Sequence, residues 1–312
     1  MINTGSINGL RGNKTLIDYS ATKGAVIALT YFSAQALLER LGPDVLLLLQ
    51  RVARLSTTVH RVAPQHGGYG PGMGPIELLL VRHGESAGNV ARERAEAAGA
   101  EVIDIDQRDA DVPLSPLGGE QARTFGRWLA ELPPQRRPQS LWCSPYIRAR
   151  QTAKLALDEA GLPLPERVDE RLRDRELGVL DLLTVRGRRV RFPEEEQRRR
   201  WLGKFYHRPP GGESWADVIL RLRSWLADLE RTEHGSRVLV VGHDAVIVMT
   251  RYICEGMSEA QVLEIARTST VVNTSVTRLL RSEGSGPWQL DRFNAQDHLR
   301  AHGSTPPPSA TG

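Results

Sequence analysis

A cation, an imidazole and a glycine stand together at Arg82, His83 and Gly84, directly after the apolar run Ile76–Val81. The apolar run predicts a buried strand. The following residues, Glu85–Ala98, are rich in good helix formers and predict a helix. Backbone N–H groups at the start of a helix attract anions, and glycine lets the backbone come close to a ligand. This turn between strand and helix therefore predicts a site for a phosphate.

Two further segments place anion-binding side chains just after apolar runs. The run Ser140–Cys143 precedes a helical stretch that carries Arg148, and Arg237–Val241 is soon followed by His243. An arginine can hold two oxygens of one phosphate, which a lysine cannot do with the same geometry. In open α/β sheets, ligands bind beyond the carboxyl ends of the strands. We therefore expect the three segments to surround one crevice.

Alternating strands and helices must bring these segments together. The predicted strands are Ile76–Val81, Ser140–Cys143, Arg237–Val241, Val271–Leu280 and Trp288–Phe293. The predicted helices are Glu85–Ala98, Pro116–Leu132, Tyr146–Ala160, Glu194–Phe205, Glu213–Thr232, Ala245–Glu255 and Ser258–Ala266. Strands separated by helices predict an α/β three-layer sandwich, a mostly parallel sheet with helices on both faces. The last strand follows its neighbour after a short Gly-rich turn, so we expect it to be an antiparallel edge strand.

The three segments resemble the histidine phosphatase superfamily, branch 1, which includes the cofactor-dependent phosphoglycerate mutases. The resemblance covers residues 75–295. It rests on Leu79-Leu-Val-Arg-His-Gly-Glu-Ser-Ala-Gly-Asn89, Cys143-Ser-Pro-Tyr-Ile-Arg-Ala-Arg-Gln-Thr-Ala153 and Val238-Leu-Val-Val-Gly-His-Asp244. It implies a phosphatase that hydrolyses a phosphomonoester through a phosphohistidine. A phosphoglycerate mutase, which shares the pocket but retains its phosphohistidine, is the alternative.

The resemblance implies a role for each of these side chains. His83 would be the nucleophile, as a neutral imidazole whose pKa is lowered by nearby arginines. Arg82, Arg148 and His243 would hold and neutralise the phosphate, because catalysis of phosphoryl transfer is mainly positioning and charge stabilisation. The expected substrate contacts are Gly84, Glu85, Ser86, Asn89 and Asp244. For Ser86 and Asn89, helix capping is an equal alternative. We expect neither a metal nor a cofactor.

The proton donor for the leaving alkoxide has three candidates. The register of the superfamily places the acid on Asp174, where glutamate is usual, and the shorter side chain would have to lie nearer to the substrate. Glu176, two positions further on, could substitute for it. Asp244 is the third candidate, because the acid-phosphatase branch uses a His-Asp pair at that place. We rank them in this order.

An arginine-rich insertion occupies residues 181–212. It contains Arg186, Arg188, Arg189 and Arg191, and Glu194–Phe205 follows as a short helix, acidic at its start and basic further on, in accord with the helix dipole. In related enzymes such insertions form caps over the pocket. Basic residues on a cap would favour substrates with a second anionic group. A solvated charged surface is the alternative.

The amino-terminal part resembles a different family. Over residues 1–44, Ser6, Tyr19 and Lys23 have the spacing of the catalytic Ser and Tyr-x-x-x-Lys of short-chain dehydrogenases/reductases. The dinucleotide-binding half that precedes them in that family is missing from this sequence, so we expect a non-catalytic fragment without oxidoreductase activity. Residues 45–74 predict a flexible, Gly-rich linker, and residues 296–312 a disordered tail.

Composition limits the partners and the compartment. A formal net charge of +4 suits a small phosphorylated substrate, and no stretch alternates aromatic and basic residues as a nucleic-acid groove would. The run Val45–Leu49 is too short to span a bilayer, and we find no signal peptide. Two distant cysteines, Cys143 and Cys254, fit a reducing cytoplasm. We therefore expect a cytoplasmic protein without nucleic-acid or membrane partners, which could form a homodimer. A phospho-ligand binding module with weak catalysis is the alternative to an enzyme.

Overall fold

The computed structural model describes residues 74–282, 284 and 286–301. The short-chain dehydrogenase-like fragment predicted at 1–44 lies outside the described residues, as does the predicted linker apart from Gly74. Of the predicted tail, 296–301 are described, and they include a short helix with a buried leucine, Leu299. Among the described residues, no helix has the length and apolar character that a membrane span needs.

Six strands form one mixed sheet in the spatial order β3-β2-β4-β1-β5-β6. The strands are β1 Glu77–Arg82, β2 Ser140–Cys143, β3 Glu166–Val168, β4 Arg237–Gly242, β5 Val276–Leu280 and β6 Gln289–Ala295. The first four in spatial order are parallel to one another, whereas β5 runs antiparallel to β1 and pairs antiparallel with the edge strand β6. The predicted α/β class, with a mostly parallel sheet and an antiparallel edge, is confirmed.

Nine helices accompany the sheet in the described part of the chain. They are α1 Ala87–Ala97, α2 Pro116–Glu131, α3 Ile147–Ala160, α4 Val185–Arg191, α5 Pro193–Tyr206, α6 Trp215–Thr232, α7 Asp244–Cys254, α8 Glu259–Thr268 and α9 Asp297–Ala301. Short 3₁₀ helices lie at Asp109–Asp111, Pro134–Arg136, Glu170–Leu172 and Gly178–Leu180. Helix α5 is interrupted at Gly203, which has a φ of 77°.

Alternate residues of the central strands pack into two separate cores. Leu78 and Leu80 of β1 belong to the core that contains α6 and α7, with Trp225 at its centre. Leu79 and its neighbours on the other side belong to the core that contains α2 and α3, with Phe125 buried there. Because both faces of the sheet are covered at its centre, β1, β2 and β4 are largely apolar runs. The functional segments are therefore held at the carboxyl ends of a rigid sheet.

Some elements differ from those that the sequence predicts. The predicted strand Val271–Leu280 begins only at Val276, because the chain turns at Thr274, which has a φ of 54° and whose N–H donates to Arg82 O. Strand β3 is a three-residue exposed edge without an apolar pattern. Helix α4 lies in the arginine-rich insertion and begins at the N-cap Thr184. The predicted helix Glu85–Ala98 begins two residues later, because Ser86 caps it.

Close packing of α2 on α3 depends on Gly126. A Cβ at this position would lie 2.5 Å from Ala156 O and 2.8 Å from Glu159 Cβ. We predict that Gly126→Ala lowers the free energy of unfolding by about 1–3 kcal/mol, the usual cost of overpacking. Gly119→Ala on the same helix is the matched control, because its Cβ would meet nothing closer than 3.8 Å. Alanine favours a helix over glycine by up to about 1 kcal/mol, so this control is expected to stabilise. Urea denaturation measures the free energy of unfolding of both variants and of the wild type. A Gly126→Ala variant as stable as the wild type would contradict the close packing of α2 on α3.

Candidate active site

His83 lies buried where β1 ends, beside the carboxyl end of β4. Its backbone N–H donates to Gly242 O at 2.9 Å. Its ring Nδ1 lies 2.6 Å from Gly84 O, and because a carbonyl can only accept, the ring proton belongs on Nδ1. This tautomer leaves the lone pair on Nε2. Arg148 Nε donates to that atom at 3.2 Å. The basic nitrogen of His83 therefore faces the guanidinium.

Two glycines bring the start of α2 against this turn. A Cβ on Gly84 would lie 2.4 Å from Gly118 O, and a Cβ on Gly118 would lie 1.9 Å from Glu85 O. The N–H of Gly84 donates to Thr152 Oγ1 at 2.9 Å. In this structure Gly84 serves the close approach of two backbone segments, and its N–H binds a protein acceptor.

The three polar residues that follow Gly84 also have protein partners. Glu85 accepts a hydrogen bond from Ser115 Oγ at 2.6 Å. Ser86 is the N-cap of α1, and Asn89 completes a capping box with it at 3.0 and 3.1 Å. The capping role considered for Ser86 and Asn89 is thus present in the structure. Asn273, which sequence analysis missed, contacts Asn89 and donates to His83 O at 2.9 Å.

Arg148 is 4% exposed on α3 and is surrounded by acceptors. Its terminal nitrogens donate to both carboxylate oxygens of Asp109 at 3.1 and 3.0 Å, and to Asp174 Oδ2 at 3.3 Å. Its guanidinium lies over the ring of Tyr146, 4.8 Å from the ring centroid. Sequence analysis did not identify Asp109, because a carboxylate in an irregular segment has no pattern that indicates its partner.

His243 is fully buried as the N-cap of α7. Its Nε2 lies 2.7 Å from Ser144 Oγ, and its Nδ1 lies 3.3 Å from Asp174 Oδ2, within ion-pair distance although not aligned for a hydrogen bond. Its ring centroid is 5.2 Å from that of His83. The structure thus brings both predicted histidines, Arg148 and Asp174 into one group.

Arg82 lies at the other side of His83. Its Nη1 donates to Val271 O at 2.5 Å, and its Nε is buried without a partner among the described residues. Burial lowers the pKa of Arg82, and the carboxylate of Asp244 opposes this shift. Burial likewise raises the pKa of Asp244, against the attraction of Arg82 and Lys204. Arg82 therefore keeps an unused buried donor near the histidines.

The three carboxylates proposed as proton donor lie in different surroundings. Burial would raise the pKa of Asp174, but His243 and Arg148 outweigh it and hold that pKa well below the usual range. The Glu176 side chain is 47% exposed and accepts a hydrogen bond from Tyr146 Oη at 3.0 Å. Of the three, Asp174 is the one that contacts both Arg148 and His243.

Both histidines are neutral near pH 7. Burial, together with the charges of His243, Arg148 and Arg82, holds the pKa of His83 well below its ordinary value. Burial also lowers the pKa of His243, although Asp174 raises it in part. A neutral His83 with a lone pair on Nε2 can act as a nucleophile. Among the residues described, no group of three or more His, Cys, Asp or Glu side chains could hold a metal ion.

A cluster of cations connects the arginine-rich insertion with this site. Burial lowers the pKa values of Arg175, Arg188 and Lys204, and Arg199 lowers each of them further. The negative charges that act on the cluster include Asp174. Nε of Arg188 is buried without a hydrogen-bond partner in the described range. The cluster therefore has unsatisfied capacity for an anion.

Comparisons with known proteins identify the family of this chain. The sequence model of the histidine phosphatase superfamily (branch 1) matches residues 78–296. A 2,3-bisphosphoglycerate-dependent phosphoglycerate mutase of Rhizobium rhizogenes is 30% identical over 191 residues, which are 60% of this chain and 83% of that protein. A solved structure of mycobacterial glucosyl-3-phosphoglycerate phosphatase with VO3 is 28% identical, with a TM-score of 0.55 over 70% of this chain and 99% of that one. The structure titled mycobacterial hydrolase 1 is 29% identical, with a TM-score of 0.56 over 70% and 98% of the two chains.

We predict that His83 stays neutral, with its proton on Nδ1, as the pH falls below about 6.5, the ordinary pKa of histidine. Its pKa is lowered in the folded chain, so the unfolded chain binds the proton first and stability falls as the pH drops below about 6.5. The chemical shifts of the two imidazole nitrogens of His83, measured by ¹⁵N NMR between pH 8 and 5.5, report the protonation of the ring. The His83 signals are identified as those that are absent from the spectrum of His83→Gln. The chain unfolded in urea is the control. A folded-state midpoint at or above that of the unfolded chain would contradict the prediction.

Proposed function

Because the chain belongs to branch 1 of the histidine phosphatase superfamily, we propose that it hydrolyses a phosphomonoester through a phosphohistidine on His83. Members of the superfamily are phosphatases or mutases, so phosphoryl transfer is the common chemistry. The observation that carries the proposal is the contact of Arg148 with both His83 Nε2 and Asp174, beside His243. This grouping supplies a nucleophile, cations for the phosphate and a carboxyl group for the leaving oxygen.

In the proposed first step, the lone pair of His83 Nε2 attacks phosphorus. The P–N bond forms while the ester P–O bond breaks, and the leaving alkoxide takes a proton from Asp174. Arg82 and Arg148 hold the equatorial oxygens, where charge stabilisation contributes most of the catalysis of phosphoryl transfer. In the second step, the oxygen of water attacks phosphorus while the P–N bond breaks and its electron pair returns to His83 Nε2. One proton of the water passes to Asp174, and inorganic phosphate leaves.

The proposed acid has to acquire a proton, although the pKa of Asp174 is low in the empty site. That low pKa arises from His243 and Arg148, acting against burial. A bound phosphate dianion would share Arg148 and His243 with Asp174 and would place negative charge beside the carboxyl group. Both effects raise a carboxyl pKa. Asp174 would therefore bind its proton when the substrate is bound.

A phosphoglycerate mutase is the second candidate. It is favoured by the 30% identity to the Rhizobium rhizogenes mutase, whereas the resemblance to a solved phosphatase, at 28% identity, favours hydrolysis. The two activities need the same pocket. They differ in whether the phosphohistidine is passed to water or kept for a second phosphoglycerate, so only turnover distinguishes them.

The cluster of cations near the insertion supports a substrate with a second anionic group. Arg175 and Arg188 are partly buried, Lys204 is exposed, and the negative charges of Glu213, Glu196 and Asp244 offset the burial of these cations only in part, since the pKa of each cation stays lowered. A carboxylate or second phosphate on the substrate would provide that compensation. We propose a small phosphomonoester of this type as the substrate class.

We predict that the wild-type chain releases inorganic phosphate from such esters without added bisphosphoglycerate. 3-Phosphoglycerate and glycerol phosphate form a matched pair that differs in the carboxylate, and the first is expected to have the higher kcat/KM. His83→Asn is expected to lower kcat by roughly three orders of magnitude or more, since it removes the nucleophile.

The control for this experiment is His234→Asn, at an exposed position before β4. Isomerisation that requires a bisphosphoglycerate primer would support the mutase. A His83→Asn variant with full turnover would refute the phosphohistidine. Ligand binding without any turnover would indicate a binding module.

We predict that Asp174→Asn lowers kcat for alkyl phosphates by roughly 10²- to 10⁴-fold, the range for loss of a general acid. For p-nitrophenyl phosphate the loss in kcat/KM, which reports formation of the phosphohistidine, is expected to be much smaller than for alkyl phosphates, because nitrophenolate leaves without a proton. The matched variant is Glu176→Gln, which removes the second candidate acid. If Glu176→Gln shows the dependence on the leaving group and Asp174→Asn does not, the assignment of the acid is wrong.

A further inference from the structure

Asp109 is a carboxylate that the proposed chemistry does not use. It opens the 3₁₀ helix Asp109–Asp111, and its two oxygens contact the two terminal nitrogens of Arg148 at 3.1 and 3.0 Å. This two-pronged arrangement is the one in which a guanidinium binds a carboxylate or a phosphate. Asp109 therefore occupies the side of Arg148 that a phosphate could use.

No donor of Arg148 is left over in the empty site. A guanidinium has five N–H groups. Nε donates to His83 Nε2 at 3.2 Å, and Nη1 donates to the main-chain O and to Oδ1 of Asp109 at 2.5 and 3.1 Å. Nη2 donates to Asp109 Oδ2 at 3.0 Å and to Asp174 Oδ2 at 3.3 Å. A phosphate can therefore bind Arg148 only by replacing one or more of these acceptors.

Of these acceptors, the Asp109 carboxylate is the easiest to replace. The Asp109 side chain is 43% exposed, against 29% for Asp174, so it can turn into water. His83 is buried and is also fixed through Nδ1 to Gly84 O. Rotation of the Asp109 side chain would free one N–H on each of the two terminal nitrogens, in the geometry that suits two phosphate oxygens.

The chain before Asp109 is anchored by further bonds that do not involve Arg148. Ile103 N donates to Leu182 O at 2.8 Å, and Thr184 Oγ1 donates to Ala100 O at 2.6 Å. These bonds join the segment to the start of the arginine-rich insertion. The Asp109 side chain can therefore leave Arg148 without unfolding its own segment.

We propose that Asp109 is a specificity-determining residue, an internal anion that compensates Arg148 in the empty site and is displaced by the phosphate of the substrate. The proposal rests on the proposed function, since it requires a phosphate at Arg148. A buried cation without a counter-charge is costly, so Asp109 stabilises the empty site. The same contact lowers the affinity for any oxyanion that has to replace it. A dianionic phosphate competes with a carboxylate better than a monoanion does, and this difference selects phosphate.

The test is the binding of inorganic phosphate, measured by calorimetry on the full chain. Asp109→Asn keeps the shape and removes the charge, and we expect it to bind phosphate roughly tenfold more tightly, equivalent to about 1.4 kcal/mol. Asp111→Asn is the matched control in the same 3₁₀ helix, because Asp111 pairs with the exposed Arg108. We expect wild-type affinity for this control.

Thermal unfolding, measured with and without phosphate, tests whether the substitution changes the stability of the folded chain. Without phosphate, Asp109→Asn and Asp109→Ala are expected to have a lower Tm than the wild type, and added phosphate is expected to raise their Tm by more. Unchanged or weaker phosphate binding in Asp109→Asn would overturn the proposal, because Asp109 would then only support Arg148. If the wild type does not bind phosphate, both the proposed function and the proposal for Asp109 fail. If the wild type binds phosphate and Asp109→Asn binds it no more tightly, only the proposal for Asp109 fails.

Discussion

The buried charge of Arg148 is the constraint on which the rest of the site depends. Only 4% of this side chain is exposed, and transfer of an ion from water into such surroundings costs several kcal/mol unless acceptors replace the water. Two aspartates and the lone pair of His83 supply the acceptors. The same positive charge helps to lower the pKa of His83. One buried cation thus contributes both to the ion pairs of the empty site and to the neutral state of His83, the proposed nucleophile.

Much of the framework was predictable because its strands are buried on both faces. A strand of this kind is an apolar run that needs no partner to be recognised, and β1, β2 and β4 begin and end within one residue of their predicted limits. Strand β3 was missed, since its three exposed residues carry no periodic pattern. The start of β5 was predicted too early, because the β-branched residues before it favour a strand while the turn at Thr274 is imposed by a contact with Arg82 O.

The candidate site was predictable to the extent that its residues follow strands. His83, Arg148 and His243 come just after β1, β2 and β4, and neighbouring parallel strands place their carboxyl ends at one edge of the sheet. Asp109 and Asn273 were not found, because each comes from irregular chain and acts on a partner far away in sequence. Glu85 was predicted to contact the substrate, and the structure adds a partner that the sequence did not indicate, a hydrogen bond from Ser115. Local patterns do not contain these long-range pairings.

The charge balance of the empty site has a consequence for the order of events. Asp174 is ionised because it pairs with Arg148 and His243, and both partners are expected phosphate ligands. A phosphate bound to Arg148 in place of the Asp109 carboxylate would lie next to the carboxylate of Asp174. Since like charges disfavour ionisation, proton binding to Asp174 and phosphate binding to Arg148 favour each other. The short aspartate side chain already lies 3.3 Å from both partners, so a longer glutamate is not needed for this coupling. An acid that is protonated only beside bound phosphate does not have to be maintained in its neutral form in the empty enzyme.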